Sequence, residues 1–207
     1  MKPMNAILRH GLSSMVFLGL ASIAHANQSP LAIGATAPMA KVVMKNAVDG
    51  KEVTIAKQAG KNGTLVVFTC NHCPWAKKWV DRIVELGNTY QEKGIGVLLI
   101  NSNDPSVNKS DSLEGTAEEA KQRGMKFPYV IDSTSGIAKA FGASKTPEAF
   151  LFDKDGQLVY HGTIDDNADD SAKVTKPFLK DALVAVANGK FPAVKETKSL
   201  GCGIKFR

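Results

Sequence analysis

The sequence predicts an α/β fold, a mixed central sheet with helices on both faces. Three observations predict it. Gly63 to Thr69 (GTLVVFT) and Ile95 to Asn101 (IGVLLIN) are continuous apolar, β-branched runs, the mark of strands buried on both faces. Between them Trp75, Trp79, Val80, Ile83, Val84, Leu86 and Tyr90 recur at helical spacing, which predicts an amphipathic helix from Pro74 to Tyr90. Further on, two short apolar segments flank Lys154-Asp155-Gly156, a turn with glycine where a hairpin needs it. Helices between buried strands, then a hairpin and a helix, imply a sheet covered on both sides.

The remaining elements follow in chain order. Lys2 and Arg9 form a positive leader, Leu12 to Ile23 is an apolar stretch of about 12 residues, and Ala24-His25-Ala26 supplies the small residues that signal peptidase reads. Residues 1–26 are therefore read as a signal peptide, since a spanning helix needs roughly 20 apolar residues. The expected mature domain is 27–207, in an exported, periplasmic setting, with no stable membrane association after cleavage. Gly94 closes the first helix. Asn103 to Ser112 reads as a polar loop, Thr116 to Arg123 as a short charged helix, and Tyr129 to Asp132 as a short strand. Gly136 to Phe141 is a helical turn ended by Gly142. Ala149 to Asp153 and Leu158 to His161 make the hairpin. Pro177 to Ala187 is a last amphipathic helix stopped by Gly189, and a tail runs from 190 to 207.

The composition excludes several classes of function. The chain has 207 residues, 43% hydrophobic and 22% charged, an ordinary globular balance. Its net charge of +6 is scattered, and no basic run points to a nucleic-acid partner. Three cysteines are too few for a disulfide-stapled miniprotein or a four-cysteine zinc site.

The chemistry lies at Cys70-Asn71-His72-Cys73. Two cysteines three apart, where a buried strand turns into a helix, can close one small disulfide ring. Backbone N–H groups at the helix start stabilise a thiolate there, and a protonated His72 adds to that effect. The expectation is a partly exposed, nucleophilic Cys70 and a more buried Cys73. A haem attachment site would need histidine directly after the second cysteine, where Pro74 stands. A zinc site would need two further ligands. A purely structural disulfide closes too small a loop to stabilise much.

A strand with CxxC at its end, a long helix, and a distant Thr146-Pro147 before a hairpin resemble the thioredoxin superfamily. The likeness covers about residues 30 to 190 and is nearest to its redoxin, or peroxiredoxin-like (AhpC/TSA-related), branch. That branch shows a similar Asn-His-Cys-Pro block, a Ser102-Asn103-Asp104 loop, Phe150 to Asp153, and a tail like Gly201-Cys202-Gly203-Ile204-Lys205. The resemblance implies a thioredoxin-like fold and thiol–disulfide exchange with protein or small-molecule thiols, without an organic cofactor. It implies that Pro147 is a cis proline facing the sulfurs, and that Thr146 and Pro147 bind substrate through a free Thr146 backbone. Cys70 is then the attacking thiol, Cys73 resolves the mixed disulfide, and His72 tunes Cys70.

Departures from better-known members narrow the reading. Thr64 stands where thioredoxins bury a carboxylate six residues before the first cysteine, so proton transfer to Cys73 must use another group or water. The residues that peroxiredoxins place three and seven before their reactive cysteine are absent. Val67 and Gly63 precede Cys70, and Cys70 and Val66 precede Cys73. A thiol peroxidase with Cys202 as resolver is thus the alternative enzyme. Cys202 lies in a tail of about 18 residues that reaches on the order of 60 Å extended. It is open as a resolving thiol, a small buried hydrophobe, or a cross-link to another chain. His161 is open as a partly exposed strand-end histidine, or with Cys70 and Cys73 as a copper site, although such sites use CxxxC. Asp165, Asp166, Asp169 and Asp170 read as a solvated loop without calcium-site spacing.

Overall fold

The computed structural model describes Met1 and residues 29–207. The expected signal peptide falls mainly on residues 2–28, outside the described residues. In chain order the elements are β1 (Met44–Asn46), β2 (Glu52–Val53), β3 (Gly63–Thr69), α1 (Pro74–Gln91), β4 (Ile95–Asn101), α2 (Leu113–Gln122) and β5 (Tyr129–Ile131). There follow α3 (Gly136–Phe141), β6 (Lys145–Thr146), β7 (Glu148–Asp153), β8 (Leu158–Gly162), α4 (Phe178–Ala187) and β9 (Cys202–Gly203).

Seven strands form one mixed sheet in the order β2-β1-β5-β4-β3-β7-β8. β3 and β5 run parallel to β4, while β7 is antiparallel to β3 and β8. The central strands have no polar face because each face meets a core. Leu65, Val67, Val97 and Leu99 point to one side, against Trp79 and Ile83 of α1 and Leu179 and Leu183 of α4. Val66, Phe68, Leu98 and Ile100 point to the other, against Ile137 and Phe141 of α3. Alternate residues of one apolar run thus serve two cores. Each fully buried side chain of this size contributes about 1.5–3 kcal/mol.

The structure moves some boundaries. α2 begins three residues before the expected Thr116, because Ser112 Oγ accepts the Gly115 N–H at 3.2 Å and so caps an earlier turn. The polar loop before it contains a short 3-10 turn, Lys109–Asp111, whose last residue is fully buried. β1, β2, β6 and β9 are two or three residues long, too short to show a period.

The tail is stitched to the domain. The His161 N–H donates to Lys195 O at 2.9 Å, and the Thr197 N–H donates to His161 O at 3.0 Å. β9 then pairs with β6, and the Ile204 N–H reaches Ser144 O at 3.0 Å. Asn103 Oδ1 accepts the Lys205 N–H at 2.9 Å, and the Asp104 N–H donates to Lys205 O at 2.7 Å. The Ser-Asn-Asp loop and the Gly-Cys-x-Ile-Lys tail are therefore one assembled feature. Among the described residues, no helix is long and apolar enough to cross a membrane.

Candidate active site

β3 ends at Thr69 and α1 starts at Pro74, so Cys70-Asn71-His72-Cys73 forms the turn between the central strand and its helix. Cys73 is the residue that opens the helix, with extended backbone and Pro74 immediately inside, where the missing proline N–H costs little. All three cysteines are free thiols. Cys73 is fully buried and Cys70 is only 4% exposed, which corrects the expectation of a partly exposed Cys70.

The two sulfurs share one proton. The Cys70 thiol shares its proton toward Cys73, which pulls Cys73 down to about 4 against the burial that opposes ionisation, with further help from Cys202 and the Ala76 N–H. Cys70 is pushed up, first by that shared proton, then by burial and by the negative charge of Asp111. Backbone N–H groups of this turn favour a thiolate at either sulfur: the Ala76 N–H lowers Cys73 and the Cys73 N–H lowers Cys70. Cys70 Sγ lies 3.3 Å from Thr146 Oγ1, and Cys73 Sγ lies 3.3 Å from Thr146 O.

Asp111 is the functional residue that sequence reasoning missed. Its carboxylate is fully buried. Oδ1 accepts the Asn71 N–H at 2.7 Å and the Asn101 amide at 3.2 Å, while Oδ2 accepts the Asn103 amide at 3.1 Å and pairs with His72 Nδ1. His72 therefore faces a carboxylate, and the negative charge beside Cys70 opposes the thiolate that His72 was expected to favour there. The available signal was the pair Asn101 and Asn103. Amides at the end of an apolar strand must find a buried partner. Asn71 is held further by Ser110 O at 2.6 Å and by the Tyr129 hydroxyl at 2.9 Å.

Metal-ligating atoms of Cys70, His72 and Asp111 lie within 4.8 Å of one another. That carboxylate is already committed to amide donors. The copper combination of Cys70, Cys73 and His161 is not what gathers among the described residues. His161 is buried, contrary to the exposed strand-end reading, and its Nε2 lies 2.7 Å from Glu148 Oε1. Asp165 is buried too, held by Arg82 and by Trp79 Nε1 at 2.8 Å, so the acidic loop is not simply solvated.

The Thr146–Pro147 peptide bond is cis. The Thr146 backbone is not free: its strand partner is Cys202. Glu148, directly after Pro147, organises this junction. Burial pushes its carboxyl up, but His161 and the Ser144 and Lys145 N–H groups more than offset that, and it sits below the usual carboxylate range. Ser199 Oγ donates to Glu148 Oε1 at 3.2 Å, which ties the tail to the same group. A carboxyl lowered on folding contributes stability above its unfolded value of about 4.3 and loses it as pH falls through the folded value. Glu148→Ala is expected to cost about 1–3 kcal/mol, because His161 and the Ser144 and Lys145 N–H groups lose their buried acceptor. Urea midpoints should show that loss near neutral pH and a smaller one in acid, and hydrogen exchange should rise across 195–204.

A thioredoxin-like sheet carrying two thiols at the start of the helix that follows its central strand defines a thiol-redox protein of the thioredoxin superfamily. Residues 33–161 match the AhpC/TSA family, and the chain belongs to that family. The crystal structure of an uncharacterized conserved protein from Geobacillus kaustophilus is 35% identical, with a TM-score of 0.79, over 85% of this chain and 93% of that one. The thiol-disulfide oxidoreductase ResA of Geobacillus thermodenitrificans is 26% identical, over 76% of this chain and 86% of its own length. The solution structure of a thioredoxin-like protein in its oxidized form shares the fold at a TM-score of 0.55 and 20% identity, over 76% of this chain and 97% of that one.

Proposed function

We propose that this protein is an exported thiol–disulfide oxidoreductase in which Cys70 and Cys73 alternate between dithiol and disulfide. The observation that carries the reading is the pair of free, buried thiols three positions apart at the start of α1. A thiolate held at neutral pH is the species that exchange requires. A mixed disulfide with a protein or small-molecule thiol forms at one sulfur and is resolved by the other. Asp111 stands beside Cys70, where it can take or return the proton that Cys70 loses as the ring closes. Export rests on the leader of residues 1–26 alone, and a periplasmic setting fits a pair that must meet disulfides.

Titration of the purified chain in glutathione buffers tests this reading. The only two tryptophans, Trp75 and Trp79, stack with ring centroids 5.9 Å apart within two turns of Cys73, so their fluorescence reports the pair. A two-electron transition is expected, and it should vanish in Cys73→Ser. A chain that shows no such transition would not be a disulfide oxidoreductase. A midpoint near −180 mV would indicate an oxidase or isomerase, and one near −270 mV a reductase.

A further inference from the structure

The tail does at this site what a bound peptide would do. Cys202 pairs antiparallel with Thr146, and Gly203 with Lys145, the main-chain pattern by which an extended segment adds to a sheet edge. Gly201 permits the approach, since a Cβ there would stand 2.2 Å from Thr146 O. The residues after β9 are anchored on Ser144, Asn103 and Asp104. This seating packs Cys202 against the cluster of Cys70, Cys73 and Ala76. The Trp75 N–H faces the Cys202 sulfur and the Ala76 N–H faces Cys73, so both sulfurs lie at the start of α1. Of the three thiols, Cys202 is the one not buried.

We propose that Cys202 is a third redox cysteine of this site, presented to Cys73 by β9 as an internal disulfide partner, through which outside thiols reach the buried pair. The proposal rests on the reading of Cys70 and Cys73 as a redox pair. In the oxidised chain the Cys202 thiol gives up its proton and its sulfur attacks Cys73 Sγ. The Cys73–Cys202 bond forms, the Cys70–Cys73 bond breaks, and Cys70 leaves with the electron pair and takes up a proton. This isomerisation consumes neither oxidant nor reductant. An outside thiolate then attacks Cys202 Sγ, and Cys73 leaves as the thiolate. A second outside thiol attacks the outside sulfur of the mixed disulfide, which releases the outside disulfide and returns Cys202 as a thiol. The protein gains the two electrons that the outside thiols lose.

The test is oxidation of a Cys70→Ser chain with a graded ratio of oxidised to reduced glutathione, followed by alkylation, digestion and mass spectrometry. The expected product joins the Cys73 and Cys202 peptides. Its effective concentration should exceed by at least tenfold the value on the order of millimolar that a short flexible linker supplies. Gly201→Ala in the same background keeps all the remaining thiols, and should reduce that value at least tenfold by unseating β9. Cys73 recovered as a glutathione mixed disulfide with Cys202 free would overturn the proposal, as would a bridge insensitive to Gly201→Ala. The unvaried chain in the same buffers separates the two readings. A Cys70–Cys73 bridge there, without a Cys73–Cys202 bridge in the variant, defeats the third cysteine alone. Absence of both defeats the redox pair itself.

Discussion

Replacing Cys73 by serine is expected to slow exchange with oxidised glutathione or a disulfide-bonded peptide at least about a hundredfold, because only a thiolate attacks a disulfide at a useful rate. Cys73 lies at the helix start, where its thiol is lowered by Cys70, Cys202 and the Ala76 N–H. Cys70→Ser should behave differently, accumulating the Cys73–Cys202 bridge where the ring cannot close. The same charge makes the reduced chain sensitive to pH. Between about 4 and the ordinary cysteine value near 8.5, the folded Cys73 has lost its proton and the unfolded one keeps it. The unfolded chain then binds more protons, so the stability of the reduced form rises with pH in that window and the gain is absent below it. Cys70 acts in the opposite sense. Its value is raised, so the stability it contributes is present below the ordinary value and lost as pH rises through the folded one. The oxidised chain has neither thiol and serves as the reference. Urea midpoints of the two forms should diverge as pH climbs from about 5 to about 8, in favour of the reduced form. A constant difference would place the charge elsewhere.

Asp111→Ala is expected to be the most damaging single change outside the cysteines, at about 3–5 kcal/mol of stability. It would strand the Asn71 N–H, two asparagine amides and His72 Nδ1 around an empty position. Asp111→Asn keeps the shape and should cost less, about 1–3 kcal/mol, since an amide cannot accept from every one of those donors. Both changes remove the negative charge that raises Cys70, so Cys70 should alkylate at a lower pH in the asparagine variant. If the pH profile of Cys70 alkylation stays unchanged there while the urea midpoint falls, Asp111 is a structural residue and takes no part in the proton economy of the pair.

What could be read from the chain is what depends on neighbours in sequence. The apolar runs of Gly63 to Thr69 and Ile95 to Asn101 became central strands, because a segment without a polar face can only be buried on both sides. The Cys70-Asn71-His72-Cys73 turn was legible for the same reason, since its chemistry follows from a strand end, a helix start and a spacing of three. The AhpC/TSA kinship likewise lies in local blocks. The leader of residues 1–26 remains a reading of the sequence.

What only the tertiary structure decided are properties of groups brought together from far apart. Cys70 and Thr146 meet across 76 positions, and Asn103 and Lys205 across 102. No period or motif encodes such a contact. Sequence reasoning placed the nucleophilic charge on Cys70, which the helix start alone would allow. The buried carboxylate of Asp111 opposes a thiolate there, and Cys202 and the Ala76 N–H lower Cys73 beside it. Sequence reasoning left the Thr146 backbone open, because β9 is a two-residue strand whose pairing depends on a tail folding back over the site. Burial, charge and pairing at a site are sums over whatever the packed chain places there, and those sums exist only once the chain has folded.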